Sequence, residues 1–154
     1  MTKDQIQQAL GTFGERAGLP GLALDDNDGC SLQVDDRYTL DIAWKPPHLH
    51  LMASVASIPG PEALATTYAV LMEAHLFGAA SGGAYFGANQ VLGEILLVRT
   101  LDDDTLTGDR LSRVLDEYVP AVKFWTIKLT RGLRPEDAES VGLEISAPPM
   151  IFHP

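Results

Sequence analysis

The sequence predicts an α+β fold in the order α-β-β-β-α-β-β-α, with a mostly antiparallel twisted sheet and helices packed on it. Two observations carry this. Segments with apolar residues at alternate positions come in a group of three and a group of two, where a parallel sheet would need single strands between helices. Around those groups lie three longer segments whose apolar residues recur three and four apart.

The first helix is marked by Ile6, Leu10, Phe13 and Ala17 on one face. Thr2 with Gln5 is a capping-box pair, and Gly18 suits the position just past the end. Gly11 and Gly14 each weaken this helix by about 1 kcal/mol relative to alanine, so it depends on packing. In "CSLQVDD", Cys30, Leu32 and Val34 share a face. In "YTLDIAW", Tyr38, Leu40, Ile42 and Trp44 do the same, and the short link between the two runs predicts a hairpin. A third strand, from His48 to Ile58, lies between Pro46-Pro47 and Pro59-Gly60-Pro61, with Leu49, Leu51, Ala53 and Val55 turned one way.

A second helix is predicted from Pro61 to Phe77. Its sequence, "PEALATTYAVLMEAHLF", is apolar almost all round, with Glu62 and Glu73 as its only full charges. A helix without a polar face is covered on two sides. The sheet supplies one cover, and a second subunit is the economical source of the other. Two stripes compete for that contact: Tyr68, Leu71, Met72 and His75, or Ala65, Ala69 and Leu76. The pattern leaves open which one faces the sheet.

The stretch after it, "LFGAASGGAYFGANQ", invites comparison with a phosphate-binding loop. Such loops precede a helix, so that free N–H groups and the positive dipole end face the anion. This one follows a helix, and no Lys or Arg occurs between Lys45 and Arg99. It is therefore a turn, leading into a short strand at Ala84 to Gly87. The next strand is "EILLVRTL". A final helix from Thr107 to Thr130 carries Leu111, Leu115, Tyr118, Val122, Trp125 and Leu129 on one face. Pro120 is expected to kink or split it.

At 154 residues the chain suits one domain, placed at 1–131, with a C-terminal tail at 132–154. A net charge of −10 argues against nucleic acid and anionic membranes as partners. No apolar run approaches the roughly 18–20 residues that span a bilayer, and the first ten residues lack a signal-peptide pattern, so a cytoplasmic location is expected.

The candidates for chemistry are few. His48 and His50 share a strand face and admit an alternative reading as the pocket of a small enzyme or ligand-binding domain. No third metal ligand is specified by spacing. Cys30, the lone cysteine, alternates with core-like residues. The clusters Asp25, Asp26, Asp28 and Asp102, Asp103, Asp104 lie where aspartates cap and solubilise turns. No catalytic, cofactor or metal site is predicted.

"LMEAHLFGAASGGAYFGANQ" followed by "GEILLVRTL" resembles a hallmark of the class I type III secretion chaperones, the Tir-chaperone-like family. The matching pieces are Leu76-Phe77-Gly78, Ala80 to Ala84, Gly87 and Leu96 to Leu101. "LPGLALDDNDGCSLQVDDRYTLDI" upstream and Leu111, Leu115, Tyr118-Val119 and Trp125 downstream are similar to the family as well. The resemblance implies a homodimer without enzymatic activity. It would hold the N-terminal segment of a secreted effector in extended form and aid its delivery, with the secretion ATPase as a further partner. Client binding is expected on Ile6, Leu10 and Phe13 and on the edge strand holding Cys30, Leu32 and Val34. The same residues are equally those that such a fold would bury in its core.

Overall fold

The computed structural model describes residues 1–78, 80–102 and 105–133. Asp103, Asp104 and the tail from 134 onward, with its His153, lie outside the described residues. The elements are α1 (Lys3–Ala17), β1 (Gly29–Val34), β2 (Tyr38–Lys45), β3 (His48–Ser57), α2 (Pro61–His75), β4 (Tyr85–Asn89), β5 (Glu94–Leu101) and α3 (Gly108–Thr130). This is the predicted order. Every strand pair is antiparallel, in the spatial order β1-β2-β3-β5-β4. β1 and β4 are thus the two edges.

Local chemistry explains the ends of α1. The Thr2 side chain accepts from the Gln5 backbone N–H, the Gln5 side chain accepts from that of Thr2, and Gly18 closes the helix in the left-handed region. Gly14 is required by packing: a Cβ there would lie 2.6 Å from the Leu19 carbonyl oxygen. The acidic turn behaves as a cap, with the Asp25 carboxylate accepting from the backbone N–H groups of Asn27 and Gly29. The bond from Gly29 is the main reason its pKa falls.

One core joins the layers. Leu49, Leu51, Ala53 and Val55 of β3, with Ile95 and Leu97 of β5, meet Leu111, Val114, Tyr118 and Trp125 of α3, all buried. α3 lies across β3, α1 packs on α3, and α2 packs beside β4. The buried Tyr118 hydroxyl donates to the Leu97 carbonyl at 2.6 Å, stitching α3 to the centre of the sheet. Burial pushes its pKa upward, so it stays a donor. α3 runs as one helix through Pro120, so of the two expected outcomes the split does not occur. Pro120 and Asp116 are both exposed, so the carbonyl freed by the missing N–H faces water.

The glycine-rich stretch is a clamped turn. α2 gives way to a single 3₁₀ turn at Leu76–Gly78, and the chain then doubles back under α3. Trp125 Nε1 donates to the Ala80 carbonyl at 2.8 Å, and Arg99 Nη1 to the Gly82 carbonyl at 2.7 Å. The other guanidinium nitrogen of Arg99 meets Glu117 at 2.9 Å. Ser81, fully buried, donates its hydroxyl to the Ala84 carbonyl. Gly82 sits at φ +61°, and a Cβ on it would stand 2.8 Å from the Glu117 carbonyl oxygen. Gly82→Ala should therefore cost about 2–4 kcal/mol, combining left-handed strain with overpacking against backbone. Urea unfolding measures it. Gly87→Ala, with nothing within 4 Å of its added carbon, should stay within about 0.5 kcal/mol.

Candidate functional site

Two apolar grooves open on the described surface, one at each edge of the sheet. At the β4 edge, α2 turns Thr67, Val70, Leu71 and Ala74 inward. Its opposite side shows Ala65, Ala69, Met72 and Leu76, four, three and four residues apart. Met72 is 70% exposed and Leu76 53%. Of the residues expected at a subunit contact, Leu71 shares the inward helix face of Val70 and Ala74 and is 4% exposed in the single chain. Met72 joins the stripe of Ala65, Ala69 and Leu76. Tyr68 and His75 sit at its margin, His75 with its ring edge-on to Tyr85 at 6.3 Å.

Between this stripe and β4 runs an apolar groove of about 210 Å³, lined by Tyr68, Leu71, Met72, Phe86, Gly87, Ala88 and Ile95. Beyond it, the β4–β5 turn holds Val91 and Leu92 outward, 93% and 67% exposed. The Asn89 side-chain oxygen accepts from both of their backbone N–H groups, at 3.1 and 3.2 Å, so the turn presents them in a fixed conformation. The sequence reading missed this pair. The available signal was two large aliphatic residues inside a turn bounded by Asn89 and Gly93.

At the opposite edge, a groove of about 450 Å³ opens between the end of α1, the margin of β1 and the middle of α3. Phe13, Ala17, Leu19, Val34, Leu115, Val119 and Pro120 supply its apolar lining, and Asp35 and Asp116 its acidic rim. Among the described residues β1 pairs only with β2; Asp25 binds both the N–H and the carbonyl of Gly29, and the outer edge beyond Gly29 is open to a further strand. Lys123 holds Asp35 in an ion pair at the hairpin end.

The residues expected to face a client differ in exposure within the single chain. Ile6 and Leu10 are fully buried, because α1 spends its apolar face on α3, and Leu32 is nearly so. Phe13, Leu32 and Val34 line the groove. Cys30 is half-buried outside it, and burial is the main cause pushing its thiol up to about 11, which leaves it a poor nucleophile near neutrality. Leu19, Val119 and Pro120 are groove residues that helix and strand periodicity did not single out.

His48 and His50 lie on the sheet face away from the buried β3 side chains, rings edge-on at 6.3 Å. His50 Nδ1 is 3.0 Å from the Thr100 hydroxyl, and burial lowers its pKa. They line neither groove. Among the described residues, no group of three or more His, Cys, Asp or Glu side chains is gathered as a metal ligand set. No helix among them is long and apolar enough to cross a membrane.

Residues 8–126 match the family model of the Tir chaperone protein (CesT) family. Comparison with curated protein sequences gives no match. Several solved structures share the fold. A chain of the ExsC–ExsE complex aligns with a TM-score of 0.67 at 21% identity, over 81% of this chain and 93% of that one. A chain of the HopA1–SchA chaperone–effector complex gives 0.65 at 16%, over 80% and 94%. The complex of the Yersinia pestis type III secretion chaperone SycH with a stable fragment of YscM2 gives 0.57 at 18%, over 77% and 98%. At these identities the likeness is one of fold.

Proposed function

Because this chain belongs to the Tir chaperone protein (CesT) family, a family of chaperones and not of enzymes, we propose that it is a homodimeric chaperone of type III secretion effectors. It binds the N-terminal segment of an effector in extended form, keeps it soluble and presents it for secretion, where the secretion ATPase is the receiving partner. The observation that carries this reading is the unpaired edge of β1 beside an apolar groove. An extended client adds a strand by main-chain hydrogen bonds and seats alternate side chains in the groove. The net charge of −10 keeps the loaded assembly soluble.

The α2 stripe and the Val91–Leu92 turn form the subunit contact. Contiguous exposed apolar surface of this kind marks an interface, and a twofold axis lets one patch meet its own copy. Client and partner subunit thus use opposite edges of the sheet. Proteins recovered with the chain from its native host, identified by mass spectrometry, should include a secreted effector. Leu19→Asp, at an exposed groove position, should then capture that effector about tenfold less well while remaining folded by circular dichroism. Undiminished capture would remove the groove from the client site.

A further inference from the structure

The hydrogen bonds of β1 fix which of its backbone groups are turned outward. In an antiparallel pair, alternate residues exchange both of their bonds with the neighbouring strand. The Trp44 N–H donates to the Asp28 carbonyl at 2.8 Å just before β1, and the Arg37 N–H to the Val34 carbonyl at the hairpin. The register, with Cys30 opposite Ile42, Leu32 opposite Leu40 and Val34 opposite Tyr38, continues that alternation, so these three residues turn their N–H and C=O groups to β2. Gly29, Ser31 and Gln33 turn theirs to the edge. Those of Gly29 are taken by Asp25. Ser31 and Gln33 are therefore the two positions of β1 at which a further strand exchanges main-chain bonds.

Side-chain alternation then assigns the faces. Ser31 Oγ donates to Asp41 at 2.5 Å and Gln33 Nε2 to Thr39 at 2.8 Å, so a client residue opposite Ser31 or Gln33 falls on a polar side of the sheet. Client residues opposite Leu32 and Val34 fall on the groove side, in either strand direction. The wall that meets them there is α3. Of the two acids lining the groove, Asp35 is held by Lys123. Asp116 has no ion-pair partner among the described residues, and Arg113, one turn earlier, turns its Nε to the Asp109 carbonyl at 3.4 Å. The backbone adds a second acceptor at the same point. Pro120 has no N–H, so the Asp116 carbonyl lacks its helical donor four residues on. Asp116 and Pro120 both line the groove.

We propose that this groove selects client segments in which one of the two inward residues is aliphatic and the other, two positions away, is lysine or arginine. The stem of the basic residue lies on the apolar lining, and its cation donates to the carboxylate and the carbonyl of Asp116. An acidic residue at that position meets the carboxylate and is rejected. Main-chain pairing at Ser31 and Gln33 accepts any extended sequence, so the acceptor pair at Asp116 supplies a choice that the bare edge lacks. Asp25 keeps the contact short, because it closes the edge at Gly29. This inference rests on the reading of β1 as the client edge and adds the chemistry of the segment that the edge receives.

Random linear peptides displayed on phage and selected against the full-length protein test it. Enriched sequences should carry Lys or Arg two residues from Val, Ile or Leu. A synthetic peptide of an enriched sequence should bind Asp116→Asn about tenfold more weakly than the unaltered protein. Its version with methionine in place of the basic residue should bind both proteins alike. Asp26→Asn, which removes the same charge at an exposed turn away from the groove, should bind like the unaltered protein. Ser31→Pro removes one outward N–H from an edge strand and should abolish binding, whereas Ser31→Ala keeps that N–H and should not. Circular dichroism checks that each variant is folded. No enrichment, enriched peptides without the basic residue, or equal losses in Asp116→Asn and Asp26→Asn would overturn the proposal. Full binding by folded Ser31→Pro would overturn the reading of β1 as the client edge, and this inference with it. Loss in Ser31→Pro with none in Asp116→Asn would overturn this inference alone.

Discussion

Trp125→Ala should lower the free energy of unfolding by about 3–5 kcal/mol, the largest stability loss expected from any single side chain here. Trp125 is fully buried and touches the fold in three ways. Its ring meets Phe86 of β4 edge-on at 5.0 Å and Phe124 at 5.2 Å, and its indole N–H holds the Ala80 carbonyl. Truncation opens a cavity and also strands that carbonyl. A domain of this size has about 5–15 kcal/mol in total, so the variant should be close to unfolded at 37 °C. Trp125→Phe separates the two contributions: it keeps most of the packing, loses the N–H and should cost about 1–3 kcal/mol. Urea unfolding followed by circular dichroism gives both values. Equal losses would mean that the hydrogen bond, and not the ring volume, dominates.

The second large effect concerns assembly. The unaltered protein is expected at about twice 16.6 kDa by light scattering, and Met72→Arg at 16.6 kDa. Met72 is 70% exposed in the single chain, so arginine there is accommodated in solvent with the fold intact. Within a twofold contact on α2, each subunit would bury a guanidinium without a partner, at several kcal/mol each. That is about a thousandfold or more in dissociation constant. A Met72→Arg protein that stays dimeric would remove the α2 stripe from the contact.

Much of this architecture is legible locally. α3 has one regular apolar stripe, Leu111 to Leu129, with Arg113, Asp116 and Glu117 exposed on the outward side of its first half, so its orientation follows from spacing. The capping box of α1 needs only Thr2 and Gln5. α2 is the opposite case. With apolar residues nearly all round, its pattern carries no information about rotation, and only its packing beside β4 separates Leu71 from Met72. The grooves are unreadable for a different reason. Phe13, Val34 and Val119 meet only because α1, β1 and α3 converge, and nothing in any one segment encodes that meeting. The same holds for Arg99, whose partners Gly82 and Glu117 stand on either side of it in sequence. Pro120 misleads because the penalty for proline in a helix depends on whether the freed carbonyl reaches water.

The strand order has a consequence for how long a client must be. In the proposed dimer, joined at its β4 edges, the two β1 edges are the outermost strands of the whole particle. Each lies four strand spacings of about 4.8 Å from its own β4, so the two client edges stand roughly 40 Å or more apart. An extended polypeptide advances about 3.3 Å per residue. A single client touching both edges therefore needs at least about a dozen residues merely to cross between them, beyond those it pairs at either end. Shorter segments can occupy only one edge, and they forgo the gain in avidity that a tethered second contact brings.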